Sequence, residues 1–417
     1  MFKSLLVKMK SNTRLASTIN VGLIVFLSVY VFSIPAFSGR AKLYLISYAL
    51  MAILGVLIAI KYILYEKFSF DRRLLIVFLF VVEALIGTII YSHEFRHWLT
   101  IALLFITCVV FYYSFCAIDK SRRVQKIIAY SLMVFGLYFA FHYRGAILKF
   151  NLDNPLGTDF DNVNTVGTYF SLGSSLFLYL ALSDDKKIGL LYVIPCGFML
   201  FLGLFTGSRH FIITIGVTFI VTIFVSIKTK KWIALLVIVG VIAMFFAGIQ
   251  LPQLAPLKER INRGLTTLFG IGNSKYDPSA VQRTIWPLYG YTLGSKVLLF
   301  GYGAEGFSIY SGIGTYSHNT YSEIICNFGL FGTLIFYTSF VLPLFLAIRS
   351  RKRSLSFVIV VVTFYIVKGF FGVYFASKDA YLMIALIMYL TKDIRLGNYV
   401  GFGANSVVGN AYCEVNI

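Results

Sequence analysis

The sequence has little charge and few cysteines for its length, and each shortage excludes a class of protein. Of 417 residues, 13% are charged and 59% are hydrophobic, whereas a soluble domain has about 25% charged and about 45–50% apolar residues. A soluble globular fold is therefore excluded for most of the chain. The five cysteines lie mostly inside apolar stretches, so no disulfide framework is expected.

Several motifs of nucleotide-binding and metal-dependent enzymes are also missing. The chain has no P-loop, no HExxH and no pair of cysteines spaced as CxxC, so ATP-driven transport and zinc hydrolysis are unsupported and no cofactor is expected. Gly301, Gly303 and Gly306 formally match the dinucleotide fingerprint. No βαβ unit surrounds them, and a tight turn is the better interpretation.

Apolar stretches and basic residues alternate along the chain. The net charge is +20, from 37 Lys and Arg against 17 Asp and Glu. In a soluble protein this excess would suggest nucleic acid, but here the basic residues lie in short gaps between apolar stretches. They concentrate in every second gap, which is the positive-inside pattern of a membrane protein. The pattern predicts that both termini are cytoplasmic.

The predicted fold is all-α, a polytopic integral membrane protein with about twelve transmembrane helices and one large extracytoplasmic loop. A span needs about 20 mostly apolar residues. The predicted spans are 17–37, 43–62, 74–92, 98–117, 127–143, 165–182, 188–206, 211–228, 232–250, 320–347, 355–374 and 379–391. Residues 1–250 thus hold spans one to nine, 251–319 the loop, 320–398 spans ten to twelve, and 399–417 an unstructured cytoplasmic tail. A loop of this length is usually functional, and its apolar stretches predict a folded cap.

Two residues at the predicted outer surface are candidates for chemistry. His318 lies just before span ten, whose start Thr320 and Glu323 are predicted to cap as a capping box. The positive end of the helix dipole disfavours an imidazolium there, so a neutral ring is available to accept a proton. Arg209 lies between spans seven and eight, where an arginine is costly and often functional. The competing interpretations are an interfacial histidine and a snorkelling arginine.

Further outer residues have the chemistry of a diphosphate and sugar site. Arginine forks bind diphosphate oxygens through paired hydrogen bonds, which makes Arg283, Arg260 and Arg263 candidates, although the last two are equally well explained as solvated charges. The loop before span six offers Asn162 and Asn164 for sugar hydroxyls, or forms a turn. Outer aromatic residues such as Tyr321 can stack on sugars.

Within the predicted spans, Glu83 and Lys368 are costly unless they are paired or face water. They are candidates to pair with each other. Gly329 and Gly332, three residues apart in span ten, are expected to let a neighbouring helix approach closely.

Taken in order along the chain, these motifs resemble the O-antigen ligase and O-antigen polymerase (Wzy) superfamily. His318–Asn319 followed by Gly329 and Gly332 is similar to the family's His-Asn and Gly-x-x-Gly, and Ser208–Arg209 to its mid-chain Ser-Arg. The loop arginine before an Ile-Trp stretch corresponds to Arg283, and the Phe-Gly-x-Gly turn to 300–303. The resemblance covers roughly residues 150–390.

The resemblance implies a GT-C-like, metal-independent glycosyltransferase in a bacterial cytoplasmic (inner) membrane. Its donor would be a glycan on undecaprenyl diphosphate, for O-antigen, capsule or exopolysaccharide synthesis. Arg209 and Arg283 would hold the diphosphate, His318 would be the general base, and Asn319 would orient His318 or a sugar hydroxyl. A flippase and a chain-length regulator are expected partners, and nucleic acid is not.

Three functions remain open at this point. A repeat-unit polymerase is preferred, because the loop 151–167 and the glycine-rich turn are more similar to Wzy sequences. An O-antigen ligase, transferring the glycan to lipid A core or another acceptor, shares the His-Asn motif. A flippase for lipid-linked glycan would need a polar pathway across the membrane, whereas the ionisable residues here cluster at the predicted outer surface.

Overall fold

A computed structural model shows helices joined by turns. It describes residues 13–38, 41–65, 68–91, 94–147, 156, 162–184, 186–226, 239–240, 258–259, 262–263, 266, 278–350 and 354–392, and no strand occurs among them. The helices are α1 Thr13–Ala36, α2 Ala41–Leu64, α3 Leu74–Ile90, α4 Phe95–Ile118, α5 Ser121–His142, α6 Arg144–Ile147, α7 Val163–Ser183, α8 Lys186–Leu191, α9 Val193–Leu204, α10 Arg209–Ser226, α11 Pro278–Gly294, α12 Gly306–Tyr310, α13 Thr320–Ser350, α14 Leu355–Gly369 and α15 Lys378–Leu390.

Six of the described helices are long and apolar enough to cross a membrane. They are Thr13–Ala36, Leu45–Leu64, Phe95–Ile118, Ser121–His142, Val163–Ser183 and Thr320–Ser350, and α3, α10 and α14 are shorter apolar helices. Large apolar side chains also face outward: Leu45 is 74% exposed, Ile194 73% and Phe224 72%. Acyl chains provide the apolar surroundings that these side chains need, so the all-helical chain is a polytopic membrane protein.

Most of the predicted spans coincide with helices where the structure describes them, although the predicted span 355–374 extends five residues beyond its helix, which ends at Gly369. One span was predicted at 188–206, but the structure has two helices there, α8 and α9, which are separated at Tyr192. Most of span 232–250, both chain termini and the predicted tail lie outside the described residues, so the total of twelve spans stays a prediction.

Two helices form the centre of the bundle. Almost every residue of α7 from Val166 to Leu182 is buried, and α15 is buried from Asp379 to Tyr389. Helix α7 packs against α9 and α10, and α15 packs against α4. A helix that is buried all round must come from a sequence that is apolar or small on every face, as these two are.

Charged and polar contacts between helices mark the two ends of the bundle. At one end Arg73 donates to the Thr391 hydroxyl at 2.9 Å, Lys392 pairs with Asp119 at 2.9 Å, and Arg122 pairs with Asp184 at 2.7 Å. These residues lie beside predicted cytoplasmic connections. The connections that were predicted to be outer meet at the other end, around the cavity described below. The described connections that were predicted to be cytoplasmic therefore share one end of the bundle, and those predicted to be outer share the other.

Helix α13 is interrupted at Gly329, where φ is 59° and ψ is −161°. The backbone of residues 298–303 fills the break. Its amides donate to the carbonyl groups of residues 326–327 at 2.9 and 2.6 Å, and the amides of residues 330–331 donate back to its carbonyl groups at 2.7 and 3.1 Å. The glycine-rich turn therefore satisfies the backbone groups that the interruption would otherwise leave unpaired.

The Gly-x-x-Gly pair does allow close approach, but to different neighbours. A Cβ on Gly329 would lie 2.5 Å from backbone atoms of Leu299, and one on Gly332 would lie 2.6 Å from Oε2 of Glu83 on α3. The suggested pairing of Glu83 with Lys368 is wrong, because Lys368 binds Asp379 at 2.6 Å. Neither carboxylate oxygen of Glu83 has a hydrogen-bond partner within the described residues.

Candidate functional site

Five helices begin around one cavity of about 900 Å³. The cavity is lined by His97 near the start of α4, Asn164 of α7, His210 of α10, His318 just before α13, and Lys378 of α15. Helix starts carry unpaired amides and the positive end of the helix dipole. Because several of them converge here, the cavity favours an anionic ligand.

His318 lines this cavity in a fixed orientation. Its ring stacks on Trp286 of α11 with centroids 5.3 Å apart and planes 15° apart, and meets the edge of Tyr316 at 4.5 Å. Its backbone has a φ of 61°, which is uncommon for a residue other than glycine. Two aromatic neighbours and a constrained backbone therefore hold the imidazole in place.

Burial lowers the pKa of His318 to about 4, and the positive charge of Arg283 adds to the lowering. The ring is thus neutral at physiological pH, as expected for a histidine beside a helix start. A neutral imidazole has a lone pair with which to accept a proton.

Arg283 is half-buried on α11, one turn before Trp286. Residues three apart on a helix lie on the same face, so the guanidinium and the ring under His318 share one side of α11. Arg283 also interacts electrostatically with His210, which lines the cavity, although Arg283 is not itself among the described residues that line it. The structure therefore brings Arg283 and His318 together, although they are 35 positions apart in the sequence.

The Ser-Arg motif forms the start of α10. The Ser208 hydroxyl donates to the Asn164 side-chain oxygen at 2.7 Å and accepts from the Phe211 amide at 3.3 Å, so Ser208 caps the helix. Arg209, half-buried, is the first helical residue. Its neighbour His210 lines the cavity, while Arg209 itself is not among the described residues that line it.

Asn162 and Asn164 both line the cavity. Asn162 caps α7 by accepting from the amide of Asn164 at 2.8 Å. Because the Asn164 oxygen is engaged by Ser208, its amide group is the part with which it can meet a ligand. Their predicted role in sugar binding therefore has the required location.

The cap of α13 differs from the predicted capping box. The Asn319 side chain accepts from the amide of Ser322 at 3.0 Å, which makes Asn319 the capping residue instead of Thr320. Glu323 instead accepts from the amide of Ser317 at 2.6 Å and lines the cavity. Asn319 thus fixes the turn that carries His318, which positions the ring without requiring contact with a ligand.

Three predicted binding residues are not brought to the cavity by the described structure. Tyr321 donates to the Ile366 carbonyl at 2.7 Å and packs on α14. Arg263 pairs with Glu259, four residues earlier on the chain. Arg260 lies outside the described residues.

A buried ion pair forms part of the cavity wall, and the sequence reasoning missed it. Lys368 and Asp379 pair at 2.6 Å, and the Tyr365 hydroxyl donates to the same carboxylate oxygen at 2.9 Å. Lys368 also interacts electrostatically with His210. The feature of the sequence that could have indicated this pair is Asp379, an acid at the start of the helix that follows the helix of Lys368.

The comparison with protein families identifies the segment that contains most of these residues. The sequence model of the O-antigen ligase family matches residues 194–337. This segment, about a third of the chain, is similar to the O-antigen ligase family. The matched segment includes Arg209, Arg283 and His318 and both glycines of the Gly-x-x-Gly pair, and it confirms the resemblance to the O-antigen ligase and polymerase superfamily. No curated protein matches the chain.

Members of this family are glycosyltransferase-like enzymes, and residues of the matched segment, among them His210 and His318, line the cavity. Asn162 and Asn164 lie before the matched segment, but they line the same cavity. Within the described residues, no group of three or more His, Cys, Asp or Glu side chains is placed to hold a metal ion.

Proposed function

We propose that the chain is an oligosaccharide repeat-unit polymerase that joins glycans carried on undecaprenyl diphosphate at the outer surface of a bacterial cytoplasmic membrane. The observation that carries the proposal is a cavity at which several helices begin and which a neutral His318 lines, with Arg283 close enough to His318 to help lower its pKa. Both residues lie in the segment that matches the O-antigen ligase family. Such a cavity combines attraction for a diphosphate with a group that accepts a proton.

In the proposed reaction the hydroxyl oxygen of one repeat unit attacks the anomeric carbon of another. The bond from that carbon to the diphosphate oxygen breaks, and the prenyl diphosphate leaves with the electron pair. His318 takes the hydroxyl proton, a role worth about 10²–10⁴-fold in rate. Arg283 and Arg209, with the helix starts, stabilise the charge on the leaving diphosphate.

In the proposed mechanism the bound substrate strengthens His318 as a base. A ring with a pKa of about 4 is a weak base, and general bases work best when their pKa is near the ambient pH. A bound diphosphate offsets the charge of Arg283 and raises the pKa of His318. The substrate therefore activates the base that its acceptor needs.

An O-antigen ligase is the second candidate, because the matched family is described by that name. The two functions leave different products when the gene is deleted. Loss of a polymerase leaves single repeat units on the surface acceptor, whereas loss of a ligase leaves long lipid-linked polymer and a bare acceptor. A gel of surface glycan, together with the lipid extract of the deletion strain, distinguishes them.

The site is tested by complementing the deletion strain with variants. Arg209→Ala, Arg283→Ala and His318→Ala are each expected to abolish long glycan while the protein stays in the membrane at wild-type amount. The control is Arg72→Ala, since Arg72 is exposed at the opposite end of the bundle. Wild-type polymer from all three site variants would contradict the proposal.

A further inference from the structure

A second large depression lies at the end of the bundle opposite the cavity. It is an open groove of about 700 Å³ between α1 and α5. Its walls include Val29 and Phe32 of α1 and Val134 of α5, and its end is lined by a basic cluster, Lys120, Arg122, Arg123 and Lys126. Neither the family match nor the proposed reaction uses it.

The groove has the length and direction of a lipid chain. Helices α1 and α5 run side by side, as the contact of Phe32 with Tyr138 at 6.0 Å shows. From Lys120 to Val134 the groove extends about 20 Å along α5, at 1.5 Å per residue. Val29 is 43% exposed and Val134 51% exposed, so the apolar wall opens to the side of the bundle that faces acyl chains.

The basic end is organised around one carboxylate. Arg122 and Lys126 both pair with Asp184, at 2.7 and 3.2 Å, which fixes their positions beside the groove. Lys120 and Arg123 are exposed. Four cations against one carboxylate leave an excess of positive charge, and helix α5 begins at the same place without a side-chain cap. These features together suit a phosphate group.

We propose that this groove binds one anionic phospholipid, with its phosphate on the basic cluster and an acyl chain along Val29, Phe32 and Val134. Charge complementarity selects the headgroup, and the apolar wall selects a lipid over a soluble phosphate. The basic cluster adjoins a predicted cytoplasmic connection, and anionic lipids give the cytoplasmic leaflet its negative potential. Basic residues that only set topology would bind no particular lipid.

The headgroup is tested on the purified full chain by native mass spectrometry with added phosphatidylglycerol or phosphatidylcholine. The wild type is expected to retain one phosphatidylglycerol, at least fivefold more tightly than phosphatidylcholine. Replacing Lys120 and Arg123 together by Gln is expected to remove this preference, while Arg72→Gln, at the same end but outside the groove, keeps it. Equal retention of the two lipids, or equal loss in the Arg72 variant, would overturn the proposal.

The acyl chain is tested separately by filling the groove. Val134→Trp is expected to lower phosphatidylglycerol retention at least fivefold. The matched control is Val341→Trp, the same substitution at an exposed valine of α13 that is 56% exposed and does not line the groove. Unchanged retention in the Val134 variant would overturn the lipid as the occupant. So would competition by glycerol phosphate as effective as that of the intact lipid.

Discussion

The pH dependence of the reaction follows from the environment of His318. Burial and then Arg283 lower its pKa to about 4, so the free enzyme keeps its base as pH falls until the pH approaches that value. At pH 5.5 about 97% of such rings are neutral, against about 9% for a ring with the ordinary pKa of 6.5. The acid limb of kcat/KM, which reports the free enzyme, is therefore expected near pH 4.

The acid limb of kcat is expected at higher pH, because kcat reports the enzyme with its anionic substrate bound. The assay is extension of lipid-linked repeats by the purified enzyme between pH 3.5 and 8, with Arg72→Gln as the control. Arg283→Gln is expected to raise the pKa of His318, though not to 6.5, since burial remains; because Arg283 is also proposed to bind substrate, this pKa is followed by NMR of the ring instead of by activity. A kcat/KM limb near pH 6.5 in the wild type, or the same His318 pKa in the wild type and the Arg283 variant, would refute this reasoning.

Three further predictions test the structure around the site. Gly329→Ala is expected to destabilise the protein by about 2–4 kcal/mol, because it introduces backbone strain and overpacking. The control is Gly312→Ala, which is also at positive φ but has open space around it and is expected to destabilise the protein less. Melting curves in detergent compare the two variants. Asp379→Asn is expected to cost about 3–5 kcal/mol because it leaves Lys368 buried without its charge partner, and a melting curve equal to wild type would contradict this. Asn164→Leu removes the acceptor of the Ser208 hydroxyl and is expected to lower kcat/KM at wild-type membrane abundance, which quantitative blotting and the extension assay measure together.

Much of the fold was predictable because lipid imposes one rule on the sequence. Every backbone group in the hydrocarbon layer must be satisfied within its own segment, so an apolar stretch of sufficient length predicts a helix. Most of the predicted stretches coincide with helices in the described part of the chain, with a division at Tyr192 as the main exception. The alternation of charge then predicted which connections share an end, and hence that Arg209 and His318 belong to the same end.

The partner of Lys368 was not predictable from the same information. An intramembrane lysine requires an acid nearby, and the other predicted spans contain three acids, Glu83, Glu323 and Asp379. The partner is Asp379, at the start of the next helix. Which acid meets the lysine depends on the rotation of α14 and on where α15 begins, and apolar stretches determine neither to within one residue.

The interruption of α13 was also missed, for a different reason. Gly329 and Gly332 read as a surface for a neighbouring helix, which is correct for Gly332 against α3. The break at Gly329 exists because residues 298–303 supply its backbone hydrogen bonds. Those residues lie far along the chain in the predicted loop, so a local pattern gives no sign that they meet. The cap on Asn319 instead of Thr320 is a smaller error of one residue.

The most direct test of the proposed chemistry uses purified protein in liposomes that contain undecaprenyl-diphosphate-linked repeat units as the sole glycan. The expected result is a ladder of longer lipid-linked glycans with release of undecaprenyl diphosphate, retained by Arg72→Ala and lost in His318→Ala and Arg283→Ala. Transfer of glycan between leaflets without any longer product, or an unchanged ladder from the His318 variant, would contradict a polymerase with its base in the wall of the cavity.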